Sequence, residues 1–174
     1  MPDKIRFWLD RTQTPVGELV IIASEQRTLR MIGWSTDSDI QTKLLPAAVL
    51  ETKRDPHGFT TALHDYFAGD LHIIDQLPAS APGTAFQQSV WHLLRQIPCS
   101  TTISYGEVAK RLGNPNAVRA VGLANGANPI GIVVPCHRVI GANGSLTGYG
   151  GGIERKRWLL AHEQTNSQTV LPYD

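Results

Sequence analysis

The chain has 174 residues, 41% of them hydrophobic and 18% charged, with a net charge of +1. That is room for one or two small domains with a real core, and too apolar a composition for a disordered segment. Charge is uneven along the chain: residues 1–79 carry 8 Lys/Arg against 11 Asp/Glu, and residues 80–174 carry 8 against 4. Only the second half has the sign expected of a polyanion binder, by an excess too small to name a partner alone.

No apolar run reaches the length of a membrane span, so no membrane partner is expected. The N-terminus MPDKIRFWLD carries Asp3 early and has no apolar core, which reads as no secretion signal. Two cysteines make no disulfide framework, and neither sits in a pattern of zinc spacing. A cytoplasmic, reduced protein without cofactor or metal is the expectation.

The first third reads as strands. Ile5, Phe7 and Leu9 alternate with polar residues, and GELVIIAS (17–24) and TLRMIGWS (28–35) flank a short polar turn, as in a hairpin. Helices are expected around Asp39–Leu50 and Thr60–Phe67, and another extended piece at LHIID (71–75). The Pro-, Ala-, Ser- and Gly-rich stretch 78–84 reads as a linker between a unit spanning 1–77 and a second spanning 85–174.

The second unit reads as helices. Thr84 with Gln87 forms a capping-box pattern, and Phe86, Val90, Leu93, Leu94 and Ile97 share one helical face. Ser104 with Glu107 is a second capping box, opening the short helix YGEVAKRLG, which ends at Gly113. Asn114-Pro115 offers an N-cap and an N1 proline for a third helix, NAVRAVGLANGAN. Two short helices joined by a tight turn fit a helix-turn-helix, although on pattern alone a plain helical hairpin is the commoner reading. The third helix carries little side-chain bulk: Ala117, Ala120, Gly122, Ala124, Gly126 and Ala127. Such a helix packs closely on another helix, or approaches the minor groove of DNA, with Arg119 as its one long cation. A short strand is expected from Ile130 to Val134, then a Gly-rich loop from Gly141 to Gly152. A last helix is expected from Ile153 to His162, anchored by Trp158, Leu159 and Leu160.

The stretch IVVPCHRVIG (132–141) places a cysteine beside a histidine and an arginine. A cysteine attacks as thiolate and titrates near pH 8.5 when free, so it needs positive charge, a donor or a base. Residues adjacent in a strand face opposite sides, so His137 reaches the thiol of Cys136 only if Pro135 bends the chain. A base usually has a third group to orient it, and Glu163 is the candidate. Cys99 has no such company and reads as packing.

IVVPCHRVIG resembles the active-site signature of the O6-alkylguanine-DNA alkyltransferases. ISYGEVAKRLG, NAVRAVGLANGANPI, LTGYGGG and KRWLLAHE resemble further blocks of that family, in family order, over about residues 83–163; YFAG and the strand pattern extend the likeness toward the two-domain bacterial members. The resemblance implies an α/β N-terminal domain of ribonuclease H-like type and a mainly α C-terminal domain of winged-helix type. It implies double-stranded DNA carrying O6-alkylguanine as partner and a single irreversible transfer to Cys136. A monomer in solution, cooperative or not on DNA, fits the same picture.

In that scheme His137 takes the thiol proton through a water, Glu163 orients His137, and Asn128 braces the turn before the cysteine. Tyr105 crowds the phosphate beside the damaged base and donates a proton to the leaving guanine. Arg119 fills the gap left by the flipped nucleotide, with Asn116, Ala120, Gly122 and Ala124 along the DNA face. Tyr149, Gly150 and the backbone near Val139 wall the base pocket. Arg138 either contacts DNA or holds the domains together by hydrogen bonds. Human-type members bind zinc through N-terminal Cys and His; no cysteine precedes Cys99 here, so no zinc is expected. They also carry a proline where this chain has Gly131 and a serine where it has Gly150, so a roomier pocket is expected, one that accepts larger O6-alkyl groups and O4-alkylthymine. Two other classes compete. Alkyltransferase-like binding proteins lack the cysteine, and a cysteine hydrolase would lack the DNA-binding blocks.

Overall fold

The computed structural model describes residues 4–34 and 48–167. A four-stranded sheet comes first, built from β1 (Arg6–Thr14), β2 (Gly17–Ser24), β3 (Leu29–Gly33) and β4 (Val49–Thr52) in the order β3-β2-β1-β4. β1 and β3 pair antiparallel with β2, and β4 runs parallel to β1. The run from Leu19 to Ser24 is buried without a break because β2 is central and covered on both faces. Leu19, Ile21 and Ala23 enter the main core, while Val20 and Ile22 join Phe7 and Met31 in a smaller cluster on the other face. The hairpin of β2 and β3 matches expectation. The helix expected over 39–50 does not: residues 39–47 lie outside the described residues, and Val49 and Leu50 begin β4.

Helix α1 (Phe59–Phe67) packs on the sheet through Phe59, Leu63 and Tyr66. LHIID is not extended. Leu71–Gln76 forms a 3-10 turn that buries Leu71 and Ile74, a period of three that an alternating reading cannot see. Residues 78–80 lie along the edge of β3, where Leu29 donates to the Pro78 carbonyl and Ser80 to that of Leu29.

Four helices follow: α2 (Ala85–Leu94), α3 (Tyr105–Arg111), α4 (Val118–Gly126) and α5 (Ile153–Ser167). The Thr84/Gln87 capping box at α2 is complete in both directions. At α3 only half of the box forms. Ser104 accepts from the Glu107 amide, but the Glu107 carboxylate turns to Arg111. The chain leaves α3 through Gly113 at φ 78°, where a side chain would be strained. There Gly113 donates to the Lys110 carbonyl and Asn114 to that of Ala109, the paired bonds of a Schellman cap. α4 starts later than expected. Asn114-Pro115 belongs to the turn, whose Asn114 carbonyl takes the Ala117 amide, and Ala117 is the residue before the first helical turn.

A two-stranded parallel ladder, β5 (Ile103–Ser104) with β6 (Val139–Ile140), ties the start of α3 to the segment after the cysteine. One continuous core links the two halves, from Leu19, Leu63 and Tyr66 to Val121, Ile132 and Leu159.

Candidate functional site

The segment expected as a strand at 130–134 is a tight loop. Three features of its sequence break the ladder. Pro129 has no donor. Ile132 sits in the left-handed region at φ 69°. Asn128 competes for backbone groups, accepting from the Ile130 amide (3.0 Å) and donating to the Val134 carbonyl (2.8 Å). The loop closes on itself, with Val133 donating to Gly131 and Val134 to Ile130, and it is also bonded to the sheet edge: Ile32 donates to Pro129 and Gly131 donates to Ile32. The N-terminal sheet thereby fixes the approach to the cysteine.

Cys136–Arg138 is a 3-10 turn after Pro135, and all three residues are buried. The alternation of a strand, which would set neighbouring side chains on opposite faces, does not apply within this turn. His137 Nε2 lies 2.8 Å from Glu163 Oε1. A carboxylate only accepts, so Nε2 carries the proton and Nδ1 keeps its lone pair. That Nδ1 is buried and has no hydrogen-bond partner among the described residues. Burial pushes the His137 pKa down, opposed by Glu163 and aided by Arg138 and Lys156. Burial would raise Glu163, yet His137 and Arg138 overcome it and hold the carboxyl well below the usual range. At neutral pH His137 is uncharged, so the lasting counter-charge to Glu163 is the Arg138 guanidinium.

Burial raises the Cys136 thiol, moderated by a hydrogen bond from Asn128 and the charge of Lys156. The resting cysteine is thus a thiol whose proton must leave during reaction, and the nearby base is neutral. Asn125, fully buried on α4, donates to the Cys136 carbonyl at 3.3 Å and steadies the turn from the other side.

Four residues escaped the sequence reading. Lys156 is buried on α5 and donates to the carbonyls of Val139 (2.6 Å) and Thr147 (3.0 Å). The Tyr66 hydroxyl donates to Glu163 Oε1 at 2.9 Å. Trp34 and Asn125 line the cavity in front of Cys136, a space of about 250 Å³ shared with Gly131, Tyr149 and Gly150. Its volume lies below the roughly 300 Å³ floor of drug-sized pockets, a scale suited to one nucleobase. Trp34 meets Tyr149 edge-on at 6.0 Å and carries Arg155 over its face at 4.9 Å. A usable signal existed for α5: Lys156, Leu159 and Glu163 fall on one helical face, but two of the three are charged, which hid that face from an apolar count.

Other expected residues are placed as follows. Tyr105 opens α3, half-buried, with its hydroxyl donating to the Thr147 carbonyl at 3.0 Å. Arg119, Ala120 and Asn116 are exposed. A Cβ on Gly122 or Gly126 would meet nothing within 4 Å, so α4 turns a smooth side outward, broken by Leu123 at 72% exposure. Ala124, expected on that face, is instead buried, with its carbonyl taking the Trp91 indole N–H at 2.9 Å. Val139 is buried, and its carbonyl takes a bond from Lys156. Arg138 is buried and cannot meet DNA. It makes two bonds to Glu163 (2.8 and 2.9 Å), one to the Ile97 carbonyl (2.8 Å) and one to Cys99 Sγ (2.8 Å). Those bonds lie within the C-terminal half; the bond that reaches Glu163 from the N-terminal half comes from Tyr66. Cys99 therefore does have a cationic neighbour, yet burial pushes its thiol up to about 11, which leaves it unreactive.

The helix pair with one smooth exposed face, set beside a buried cysteine, a neutral imidazole and a base-sized cavity, defines a nucleic-acid-binding protein with a reactive thiol. Two family models match: 6-O-methylguanine DNA methyltransferase, DNA binding domain, over residues 85–165, and its ribonuclease-like domain over residues 10–81. The methylated-DNA–protein-cysteine methyltransferase of Shigella flexneri is 48% identical over 165 residues, covering 91% of this chain and 96% of that one. The crystal structure of the Mycobacterium tuberculosis O6-methylguanine methyltransferase superposes with a TM-score of 0.78 at 38% identity, covering 97% and 96% of the two chains. The Mycobacterium tuberculosis protein in complex with DNA superposes at 0.75 with 40% identity, covering 93% and 94%. The chain belongs to the 6-O-methylguanine DNA methyltransferase family, with its ribonuclease-like domain first and its DNA-binding domain second.

Proposed function

We propose that the chain repairs DNA by direct reversal, moving the alkyl group of O6-alkylguanine, and of O4-alkylthymine, irreversibly onto Cys136. The carrying observation is the chain of contacts behind the thiol: a buried Cys136, a neutral His137 with a free Nδ1, and a Glu163 fixed by three residues. In the step, the thiol proton passes to His137 Nδ1 through a water. The sulfur attacks the alkyl carbon, a C–S bond forms and the C–O6 bond breaks. Its electron pair stays on the guanine, which takes a proton from Tyr105. Glu163 accepts no proton; it holds the tautomer and offsets the imidazolium that forms.

The alkyl carbon sits within a base pair, out of the sulfur's reach in a stacked duplex, so the nucleotide must leave the stack. Arg119 enters the gap from the minor groove. The smooth face of α4, bearing Gly122 and Gly126, permits close approach without reading sequence, as suits a lesion that can arise anywhere. An alkyl thioether does not hydrolyse in water, so each molecule reacts once.

The test mixes protein with a duplex carrying one O6-methylguanine and counts lesions removed. One lesion per protein and no turnover is expected, with none removed by Cys136→Ser, which still binds the DNA. Several lesions removed per protein would refute the proposal.

A further inference from the structure

Tyr66 lies in α1, on the N-terminal side of the molecule, yet its hydroxyl ends in the reacting centre. It is fully buried, with its ring held by Phe67 (5.3 Å between centroids) and His162 (5.2 Å) and its carbonyl taking His162 Nε2 at 2.8 Å. Burial and the facing Glu163 push the phenol well above its usual pKa, so it donates at any working pH. Its acceptor, Glu163 Oε1, also receives His137 Nε2 and Arg138 Nη2. Three donors share one oxygen.

A carboxylate bonded to His137 alone would draw a proton onto the imidazole, and an imidazolium cannot take the thiol proton. Each further donor on Oε1 spreads the oxygen's charge and weakens that pull. The groups around His137 are Glu163 and Lys156 from α5, Arg138 from its own turn, and the adjacent Cys136. Those facing Tyr66 are Glu163 and His162 from α5, Arg138 and Cys99. Among the donors to Oε1, Tyr66 is the one from the N-terminal side.

We propose that Tyr66 is a positioning residue of the alkyl-transfer centre: by donating to Glu163 Oε1 it limits the carboxylate's pull on His137 and keeps the imidazole a free base. The proposal rests on the reading of Cys136 and His137 given above. It assigns the N-terminal domain a part in the chemistry, through a single hydroxyl.

The test is the single-turnover rate of the full chain on a duplex carrying O6-methylguanine, followed against pH for wild type and Tyr66→Phe. The acid limb of the variant is expected to move up by at least about half a pH unit, because the imidazolium becomes easier to form. Its rate then falls more at pH 6 than at pH 8, with DNA affinity unchanged. An unmoved limb, whatever the melting temperature, would overturn the proposal and leave Tyr66 a packing residue. Should the phenylalanine variant fail to fold, 3-fluorotyrosine at position 66 keeps the shape and donates more strongly. The limb is then expected to move down, and a fixed limb overturns the proposal equally. Wild type that transfers nothing at any pH would remove the reading of the centre itself, an outcome separate from a limb that fails to move.

Discussion

Replacing Arg138 by methionine keeps most of the side chain's length and removes its charge and donors. The guanidinium makes two bonds to the Glu163 carboxylate, one to the Ile97 carbonyl and one to Cys99 Sγ, all at 2.8–2.9 Å. Its loss leaves a buried carboxylate with two neutral donors and a buried carbonyl with one fewer. Breaking a buried pair from one side costs about 3–5 kcal/mol. Total stabilities run to about 5–15 kcal/mol, so the variant is close to the edge of folding. For a chain of this size each kcal/mol moves the melting temperature by about 2–4 °C, which puts the fall at roughly 6–20 °C. The assay pairs thermal unfolding with DNA binding across a salt series. A phosphate contact adds about 0.9 to the salt slope of binding, and a buried Arg138 adds nothing. A melting temperature within about 2 °C of wild type, together with a shallower slope, would refute the reasoning and return Arg138 to the DNA surface.

Further expectations follow from the same geometry. Gly131→Pro removes the amide that donates to the Ile32 carbonyl at 2.9 Å and puts a Cβ 3.2 Å from that oxygen. Denaturant unfolding should show a loss of about 1–3 kcal/mol, and a neutral result would mean the loop does not depend on β3. Stability should fall with acidity in two stages. The unfolded chain protonates His137 near pH 6.5 while the folded one resists, and Glu163, held low when folded, withdraws its contribution as pH drops below about 4.3. Glu163→Gln should lack the second stage in melting curves taken from pH 7 to pH 3. Leu123→Ala, which removes the exposed apolar side chain from the smooth face of α4, should weaken binding to duplex DNA by about 1 kcal/mol and leave transfer from free O6-benzylguanine unchanged.

Where local chemistry decided the structure, the sequence was readable. Ser104 and Gly113 bound α3 because a cap and a left-handed glycine act within a few residues. The same logic misplaced the start of α4, since Asn114-Pro115 fits a turn as well as a helix start. It read Ile130–Val134 as a strand because three branched residues look extended, whereas Asn128 and the left-handed Ile132 fold them into a loop. Ala124 was placed on the DNA face by its small size, but helical phase puts it beside Trp91. The face of α5 was hidden because Lys156 and Glu163 are buried charges, whose partners come from residues far along the chain. Tyr66 had no local signal: its acceptor is 97 residues away. The cysteine turn was legible through its family likeness, while its protonation logic needed the packing around it.

In the proposed reaction Cys136 is the alkyl acceptor. The direct measurement is peptide mass spectrometry after mixing the protein with a duplex bearing one O6-methylguanine, since Cys99 and Cys136 fall on different tryptic peptides. The expected result is a gain of one CH₂ on the peptide ending at Arg138, in proportion to lesion consumed, with Cys99 unmodified. A methyl on Cys99, or repaired DNA with no mass gained by the protein, would contradict it.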